Sequence, residues 1–355
     1  MSPAPRPRPL LRAVLVALVA LLAVPVLAAP AHAAAGRTYV ALGDSYTSGL
    51  GMPGQRPTPA GEPACFRSDQ NYPSQVADRL GLGAERTGDW ADLSCSNATL
   101  TGPALLSPID LPGEVALAQK AGVLGSRTRL VTLTGGGNDR WDAAGLGLFA
   151  GAIICLDDPS CRADPPASTF GRPGSVTAAT YAARAKPAID RVRALAPKAK
   201  ILLVGYPQVL PASGTLCRTD LQTTTPAGSG GSAYARAATA ALFSAEPGAA
   251  KALRISFADT TTATAGHDIC REPGVRWYAR TGDAGADPVH PIVAAHTAIA
   301  KVVYAARPSL PKARLKAPSS ARVGRRASVR ATDLLRAPGY RARLSRRITV
   351  GGKVR

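Results

Sequence analysis

The sequence predicts an α/β fold in which a mostly parallel sheet is covered by helices on both faces. Two observations predict it. Short apolar runs alternate along the chain with segments that carry apolar residues at helical spacing, which is typical of strand–helix–strand units. Several of these runs end in glycines and polar residues, and open parallel sheets place functional groups at the carboxyl ends of their strands.

The elements follow one another between the two ends of the chain. The predicted strands are TYVAL (38–42), a short strand at 90–93, RLVTLT (129–134), ILLVGYP (201–207) and ALRISFAD (252–259). The predicted helices are NYPSQVADRLG (71–81), TYAARAKPAIDRVRALAPKAK (180–200) and HPIVAAHTAIAKVVYAA (290–306). In the first helix Val76 and Leu80 share one face and Gly81 is a stop signal. In the second, Ile189 and Val192 have the spacing of a buried helix face.

The first 34 residues have the pattern of a secretory signal. Three arginines precede an apolar run over 13–27, and Ala31 and Ala33 give the small-x-small arrangement that a signal peptidase needs. We expect cleavage near Ala33 or Ala35 and a secreted protein. The alternative is an uncleaved membrane anchor, but the run is short for a span of roughly 20 residues.

Charge separates a body, residues 35–308, from a tail, residues 309–355. Of the formal net charge of +20, the signal contributes three and the tail thirteen, because the tail has 14 Lys and Arg against Asp333 alone. The body is therefore nearly neutral, and no nucleic acid is expected as its partner. The tail is either a flexible basic segment or an incomplete β-module that contains ASVRA (327–331) and RITVGG (347–352). It could attach the protein to an anionic cell wall or membrane surface, or be a soluble linker.

The chain has six cysteines, an even number that favours disulfides in an exported protein. Six cysteines allow 15 pairings. Sequential pairing closes the most local loops. It predicts Cys65–Cys95, Cys155–Cys161 and Cys217–Cys270. A zinc site is the alternative, but the sequence has no C-x2-C pair to support it.

Three segments carry groups that could perform nucleophilic catalysis. GDS follows the first strand, GGGND follows RLVTLT, and DPVHP precedes the last helix. A serine hydroxyl such as that of Ser45 needs a base, and the base needs a partner that fixes its tautomer. Asp287 and His290 have a spacing at which the carboxylate can reach Nδ1 and leave Nε2 for the serine. His267 and His296 are expected to pack in a loop and a helix.

An acyl-transfer site also needs donors for the developing oxyanion. The backbone N–H of Ser45 and the side chain of Asn138 are the first candidates, and the loop around Asn97 is a third. Asp44 is expected to shape the turn that holds Ser45. GGGND does not match the dinucleotide fingerprint, because Arg140 stands where its third glycine would be.

Together these segments resemble the SGNH hydrolases, also called GDSL esterases and lipases, and particularly their secreted actinobacterial branch. ALGDSYTSGLG, GGGND and DPVHP resemble the family's nucleophile, oxyanion and acid–base blocks. The segments CSNAT, VGYP and AGHDICREPGVRW extend the resemblance over roughly 38–306. It implies a flavodoxin-like three-layer αβα sandwich, sequential disulfides, no metal or other cofactor, and hydrolysis of esters of lipids or small acylated molecules.

The resemblance also assigns roles by position. It implies that Ser45 is the nucleophile, His290 the base and Asp287 its orienter, with Ser45 N–H and Asn138 in the oxyanion hole. Asn97 stands where the family has a glycine that donates its amide, and asparagine tolerates positive φ better than most residues. In some relatives a backbone carbonyl replaces the acid, which leaves the partner of His290 open.

Two alternatives to a lipid or small-ester hydrolase remain. A carbohydrate acetyl esterase would use the same residues, so only substrates distinguish it. A non-catalytic surface-binding protein on a hydrolase scaffold is the other, but a binder would not need Ser45, Asn138, Asp287 and His290 together.

Overall fold

The computed structural model describes residues 34–332 apart from 103–107, 143–145, 159–170, 221–225, 310–313 and 317–329. The predicted signal lies outside this part of the chain except for Ala34. Among the helices of the described residues, none combines the length and the apolar character that crossing a membrane requires.

Five parallel strands form the central sheet. They are β1 (Tyr39–Gly43), β2 (Trp90–Asp92), β3 (Leu130–Thr134), β4 (Lys200–Val204) and β5 (Ser256–Ala258). Their order across the sheet is β2-β1-β3-β4-β5, with Tyr39 level with Trp90 on one side and Leu130 on the other. This order places the ends of β1 and β3 side by side. The predicted parallel sheet is confirmed.

Helices connect the strands. They are α1 (Ser45–Ser48), α2 (Tyr72–Leu80), α3 (Leu111–Lys120), α4 (Leu148–Asp157), α5 (Ala178–Leu195), α6 (Ser229–Leu253), α7 (Thr261–Thr264) and α8 (Val293–Ala306). A 3₁₀ turn covers Pro173–Ser175.

The strands bury both faces, and each face has its own helical layer. Val40 and Leu42 of β1 belong to a core with α3, α4, α5 and α6, whereas Tyr39 and Ala41 point into a second core with α2 and α8. Alternate residues of a strand point to opposite faces, so continuous apolar runs are what this arrangement requires. The predicted three-layer αβα sandwich is confirmed.

Helix α2 shows how the sequence sets an element's limits. The Asn71 side chain caps its start by accepting the N–H of Ser74 at 3.0 Å, and Gly81 ends it at φ +67°. The N–H of Tyr72, which has no acceptor inside the helix, donates to Nδ1 of His296 in α8 at 3.1 Å. The two helices of this layer are thereby joined through a buried histidine.

One strand prediction is wrong at its start. Residues 252 and 253 belong to the last turn of α6, and Arg254 ends that helix at φ +53°. Only Ser256–Ala258 pair with β4. The long helix α6 includes the first two residues that the apolar pattern alone had assigned to the strand.

Two of the three predicted disulfides are present, Cys65–Cys95 and Cys217–Cys270. These four cysteines are therefore not zinc ligands. Cys155 is also disulfide-bonded, and its predicted partner Cys161 lies outside the described residues.

The tail contributes two short strands, β6 (Arg314–Lys316) and β7 (Arg330–Thr332), which pair antiparallel. The predicted strand-like segment at 347–352 lies outside the described residues.

Candidate active site

The nucleophile candidate lies at the tip of β1. Gly43 ends the strand at φ +129°, and a Cβ there would come within 2.5 Å of the Thr134 carbonyl oxygen. A glycine is required by both features. Asp44 then caps α1 by accepting the N–H of Tyr46 at 2.9 Å, which leaves Ser45 as the first residue of the helix. The expected turn-shaping role of Asp44 agrees with this contact.

Ser45 and His290 meet across the sheet's carboxyl edge. His290 Nε2 lies 2.8 Å from Ser45 Oγ, within hydrogen-bonding distance. Ser45 is only 3% exposed, and the imidazole is half-buried. Burial lowers the pKa of His290, and this is opposed by the Pro288 carbonyl and the charge of Asp287. The ring is therefore favoured in the neutral form, which can accept a proton.

The other ring nitrogen does not contact the predicted carboxylate. His290 Nδ1 lies 2.9 Å from the carbonyl oxygen of Pro288, and the Asp287 side chain is exposed. Val289, between them, has φ +69° and turns the Pro288 carbonyl back onto the ring. The expected hydrogen bond from Nδ1 to Asp287 is thus replaced by one to the main chain.

Two asparagines line the cleft that contains Ser45. Asn97 has φ +65°, in the left-handed region. This region favours glycine, the residue that the resembled family has at this position. Asn138 donates one amide hydrogen to the carbonyl oxygen of Ala98 at 3.1 Å, which joins the two loops. An amide has a second hydrogen to donate. Both asparagines line the same cleft as Ser45 and His290.

This cleft has a cavity volume of about 230 Å³. One wall is the apolar face of α4, formed by Phe149, Ala150, Ile153 and Ile154. The loop from Pro288 to His290 also lines the cleft. The site therefore combines a reactive polar end with an apolar side.

A buried tyrosine links the nucleophile turn to the asparagine loop. Tyr206 donates its hydroxyl hydrogen to Asp44, and the same oxygen accepts the N–H of Gly137 at 2.8 Å. Burial raises the pKa of Asp44 to about 7, against the opposing effect of the Tyr206 hydrogen bond. Sequence reasoning missed Tyr206, although VGYP places it directly after β4, where a site residue is expected.

Asp139 connects the Asn138 loop to the Asn97 loop from outside the cleft. Its carboxylate accepts the N–H of Leu100 at 2.8 Å and a hydrogen from Arg184 at 3.0 Å. The last residue of GGGND thus supports the position of Asn138 and of the Asn97 loop.

The other two histidines of the described residues lie outside the cleft, as predicted. His267 stacks on Trp277 with ring centroids 3.6 Å apart, and its Nδ1 lies 2.6 Å from the Val275 carbonyl oxygen. His296 is fully buried between α2 and α8.

A family model described as the GDSL-like lipase/acylhydrolase family matches residues 41–298. The chain belongs to this family. It is a carboxylic ester hydrolase of α/β architecture. Lipase 2 of Streptomyces coelicolor is 35% identical over 283 residues, which cover 76% of this chain and 88% of that protein. A lipase of Streptomyces rimosus is 30% identical over 239 residues, 67% of this chain and 75% of that one.

Solved structures give the same fold for this lipase/acylhydrolase. Phospholipase A1 from Streptomyces albidoflavus is 26% identical, with a TM-score of 0.55, and the match covers 77% of this chain and all of that one. The extracellular lipase of Streptomyces rimosus has a TM-score of 0.54 over 76% of this chain and 98% of its own length.

Proposed function

We propose that this chain is a secreted serine esterase that hydrolyses carboxylic esters of lipids or small acylated molecules through Ser45 and His290. The 2.8 Å contact between Ser45 Oγ and His290 Nε2 carries the proposal. Ser45 attacks the ester carbonyl while neutral His290 takes the hydroxyl proton. His290 then protonates the departing alcohol, and water repeats the sequence to release the acid.

The oxyanion forms where three donors converge. Ser45 is the first residue of α1, so its N–H has no acceptor within its own helix. The Asn97 N–H and the second amide hydrogen of Asn138 are the other two. Donors that are already fixed before reaction stabilise the developing charge without reorganisation. The Pro288 carbonyl holds the tautomer of His290 with its hydrogen on Nδ1, and Asp287 contributes its nearby charge and its backbone rather than a side-chain hydrogen bond.

The apolar wall of the cleft supports an acyl chain as the bound group. Phe149, Ile153 and Ile154 offer the contacts that a hydrocarbon chain gains on leaving water. The similar Streptomyces proteins are a lipase and a phospholipase A1 by name, which agrees with this substrate class. A carbohydrate acetyl esterase would use little of this wall.

Secretion and surface attachment complete the proposal. The signal pattern in residues 1–34 supports export, and the tail charge of about +13 supports binding to an anionic cell wall or lipid surface. Deleting residues 309–355 should release surface-bound protein without lowering turnover on a soluble ester. Unchanged retention of the truncated protein would contradict attachment through the tail.

The experiment that tests the activity is hydrolysis of p-nitrophenyl esters from acetate to palmitate by the mature protein and its Ser45→Ala variant. We expect Ser45→Ala to lower kcat by at least roughly 10³-fold, as for the loss of other activated serines. We expect the wild type to prefer chains longer than acetate. Equal activity of the two proteins would refute the serine mechanism, and an acetate optimum would favour the acetyl esterase.

A further inference from the structure

The residues next to the nucleophile and the base also contact each other. Ser45 meets His290, and the neighbouring Tyr46 donates its hydroxyl hydrogen to the carbonyl oxygen of Val289 at 2.9 Å. Tyr46 is 6% exposed, so this hydrogen bond is shielded from water. The nucleophile turn and the base loop are thus joined twice, once by reactive groups and once by a hydroxyl on a backbone carbonyl.

Val289 has a conformation that needs support. Its φ of +69° lies in the left-handed region, which is rare for a β-branched residue and strained. On one side, its N–H donates to the carbonyl oxygen of Ala279 at 2.7 Å, and the Ala279 N–H donates to the His290 carbonyl oxygen at 3.1 Å. On the other side, its own carbonyl is held by Tyr46. The strained residue is therefore fixed at both ends.

The conformation of Val289 decides what His290 contacts. Val289 is the only residue between Pro288 and His290 in the sequence. The Pro288 carbonyl oxygen lies 2.9 Å from Nδ1 of the His290 ring. An ordinary extended or helical φ at Val289 would direct the Pro288 carbonyl elsewhere. The partner of Nδ1 is thus created by backbone strain rather than by a side chain.

We propose that Tyr46 is a positioning residue for the base: its hydroxyl holds Val289 in the left-handed conformation and so keeps the Pro288 carbonyl on His290 Nδ1. The proposal rests on the proposed function, in which His290 is the base, and deepens it. Tyr46 does not touch the reacting atoms through this hydroxyl, and it acts through the loop.

The ring and the hydroxyl of Tyr46 have separable roles. The ring packs 5.4 Å from the His290 ring, 5.2 Å from Tyr206 and 5.8 Å from Phe149, measured between centroids. A Tyr46→Phe substitution keeps all three contacts and removes only the hydrogen bond to Val289. It therefore tests the hydroxyl without emptying the core.

The test compares Tyr46→Phe with Tyr234→Phe, a matched control. The Tyr234 hydroxyl also donates to a backbone carbonyl oxygen, that of Gly171, at 2.7 Å, and Tyr234 is not among the residues that line the cleft. We expect Tyr46→Phe to lower kcat about tenfold or more with KM little changed, since misplaced catalytic groups cost turnover rather than binding. Tyr234→Phe should keep the wild-type kcat. Equal kcat values for the two variants would overturn the proposal.

A second readout needs no turnover. The Nδ1–H proton of His290, assigned with a His290→Gln variant, should be detectable by NMR in the wild type and be broadened by exchange in Tyr46→Phe. Retention of this signal at wild-type intensity would overturn the proposal, whatever the enzyme hydrolyses. The activity of Ser45→Ala decides the proposed function separately.

A double variant tests the role of the strain. Glycine adopts φ +69° without strain, so removing the Tyr46 hydroxyl from a Val289→Gly protein should lower kcat less than removing it from the wild type. Equal losses in the two backgrounds would show that the hydroxyl does not act through Val289.

Discussion

At the scale of single residues, the partner of His290 is where sequence and structure differ most. The spacing of Asp287 and His290 predicts an acid–base pair, but the imidazole Nδ1 contacts the Pro288 carbonyl oxygen instead. The family resemblance left a backbone carbonyl open as the partner, but the residues alone could not identify it, because the contact depends on a positive φ at Val289, a residue type that rarely adopts one. The spacing of two side chains fixes neither the backbone between them nor their rotamers.

This difference predicts a mild effect of Asp287→Asn. Where a buried aspartate holds Nδ1, the same change lowers kcat by about 10⁴-fold. Here the carbonyl keeps the tautomer and Asp287 is exposed, so we expect less than roughly a tenfold loss of kcat and a stability change within about 0.5 kcal/mol. Steady-state kinetics on p-nitrophenyl butyrate would measure it, with His290→Gln as the inactive reference. A loss that approaches that of His290→Gln would restore Asp287 as the orienter.

The other predicted site residues come together as the sequence implied. Ser45, Asn97, Asn138 and His290 lie 245 positions apart at most, yet they line one cleft. They were predictable because each follows or precedes a strand or helix whose pattern is clear. Tyr206 was not predicted, because a single tyrosine after a strand gives no signal that its hydroxyl bridges two loops.

At the scale of elements, the strands and the helices α2, α5 and α8 were predictable, whereas α3, α4 and α6, which pack on the larger core, were not. β1, β3 and β4 have apolar runs bounded by glycine or charged residues, and α2 has a cap at each end. α4 was not predicted, because LFAGAIICLD is apolar on every side and so lacks a helical period. α6 was missed for another reason, since it contains Pro247 and several glycines and forms through packing against α4 and α5.

The apolar wall that α4 presents predicts an effect on chain-length preference. Ile154 lines the cleft and is 43% exposed, so an acyl chain can cover it and Ile154→Asn should fold normally. Losing the contact should weaken binding of the transition state of a long-chain ester by about 1 kcal/mol, which lowers kcat/KM roughly fivefold. Activity on the acetate ester should stay near that of the wild type.

The matched control is Val275→Asn, at an exposed apolar residue (45%) that does not line the cleft. The ratio of kcat/KM for the decanoate and acetate esters would be measured for both variants. If Ile154→Asn lowers both ester rates equally, the wall does not bind the acyl chain.

At the scale of the whole molecule, the sheet separates two cores of different composition. The larger core includes the buried carboxyls of Glu114 and Glu246, on α3 and α6, whereas the smaller one, between the sheet and helices α2 and α8, includes the fully buried His296. Its Nδ1 accepts the Tyr72 N–H, and its Nε2 has no hydrogen-bond partner in the described part of the chain. A protonated Nδ1 could not accept the Tyr72 N–H, and a buried charge without a partner is costly, so the histidine is neutral in this core.

This core predicts that His296 makes folding sensitive to acid. Burial, with a smaller effect of His290, lowers the pKa of His296 from 6.5 to about 3. Because the folded pKa is below the unfolded one, the full contribution to stability is present above about pH 6.5 and is lost as the pH falls towards 3. The loss should reach about 1.4 kcal/mol per pH unit within this window.

The measurement is urea unfolding of the wild type and His296→Gln between pH 7 and pH 4. Burial raises the pKa values of the carboxyls of Asp44, Glu114 and Glu246, so the wild-type curve alone mixes several titrations. The difference between the two proteins removes those shared contributions. We expect the free energy of unfolding of the wild type, relative to that of His296→Gln, to fall by roughly 2–3 kcal/mol as the pH is lowered from about 6.5 to about 4.5. Only the wild type must exclude a proton from this site. Parallel curves would show that His296 binds its proton in the folded state as readily as in the unfolded chain, which would contradict the prediction.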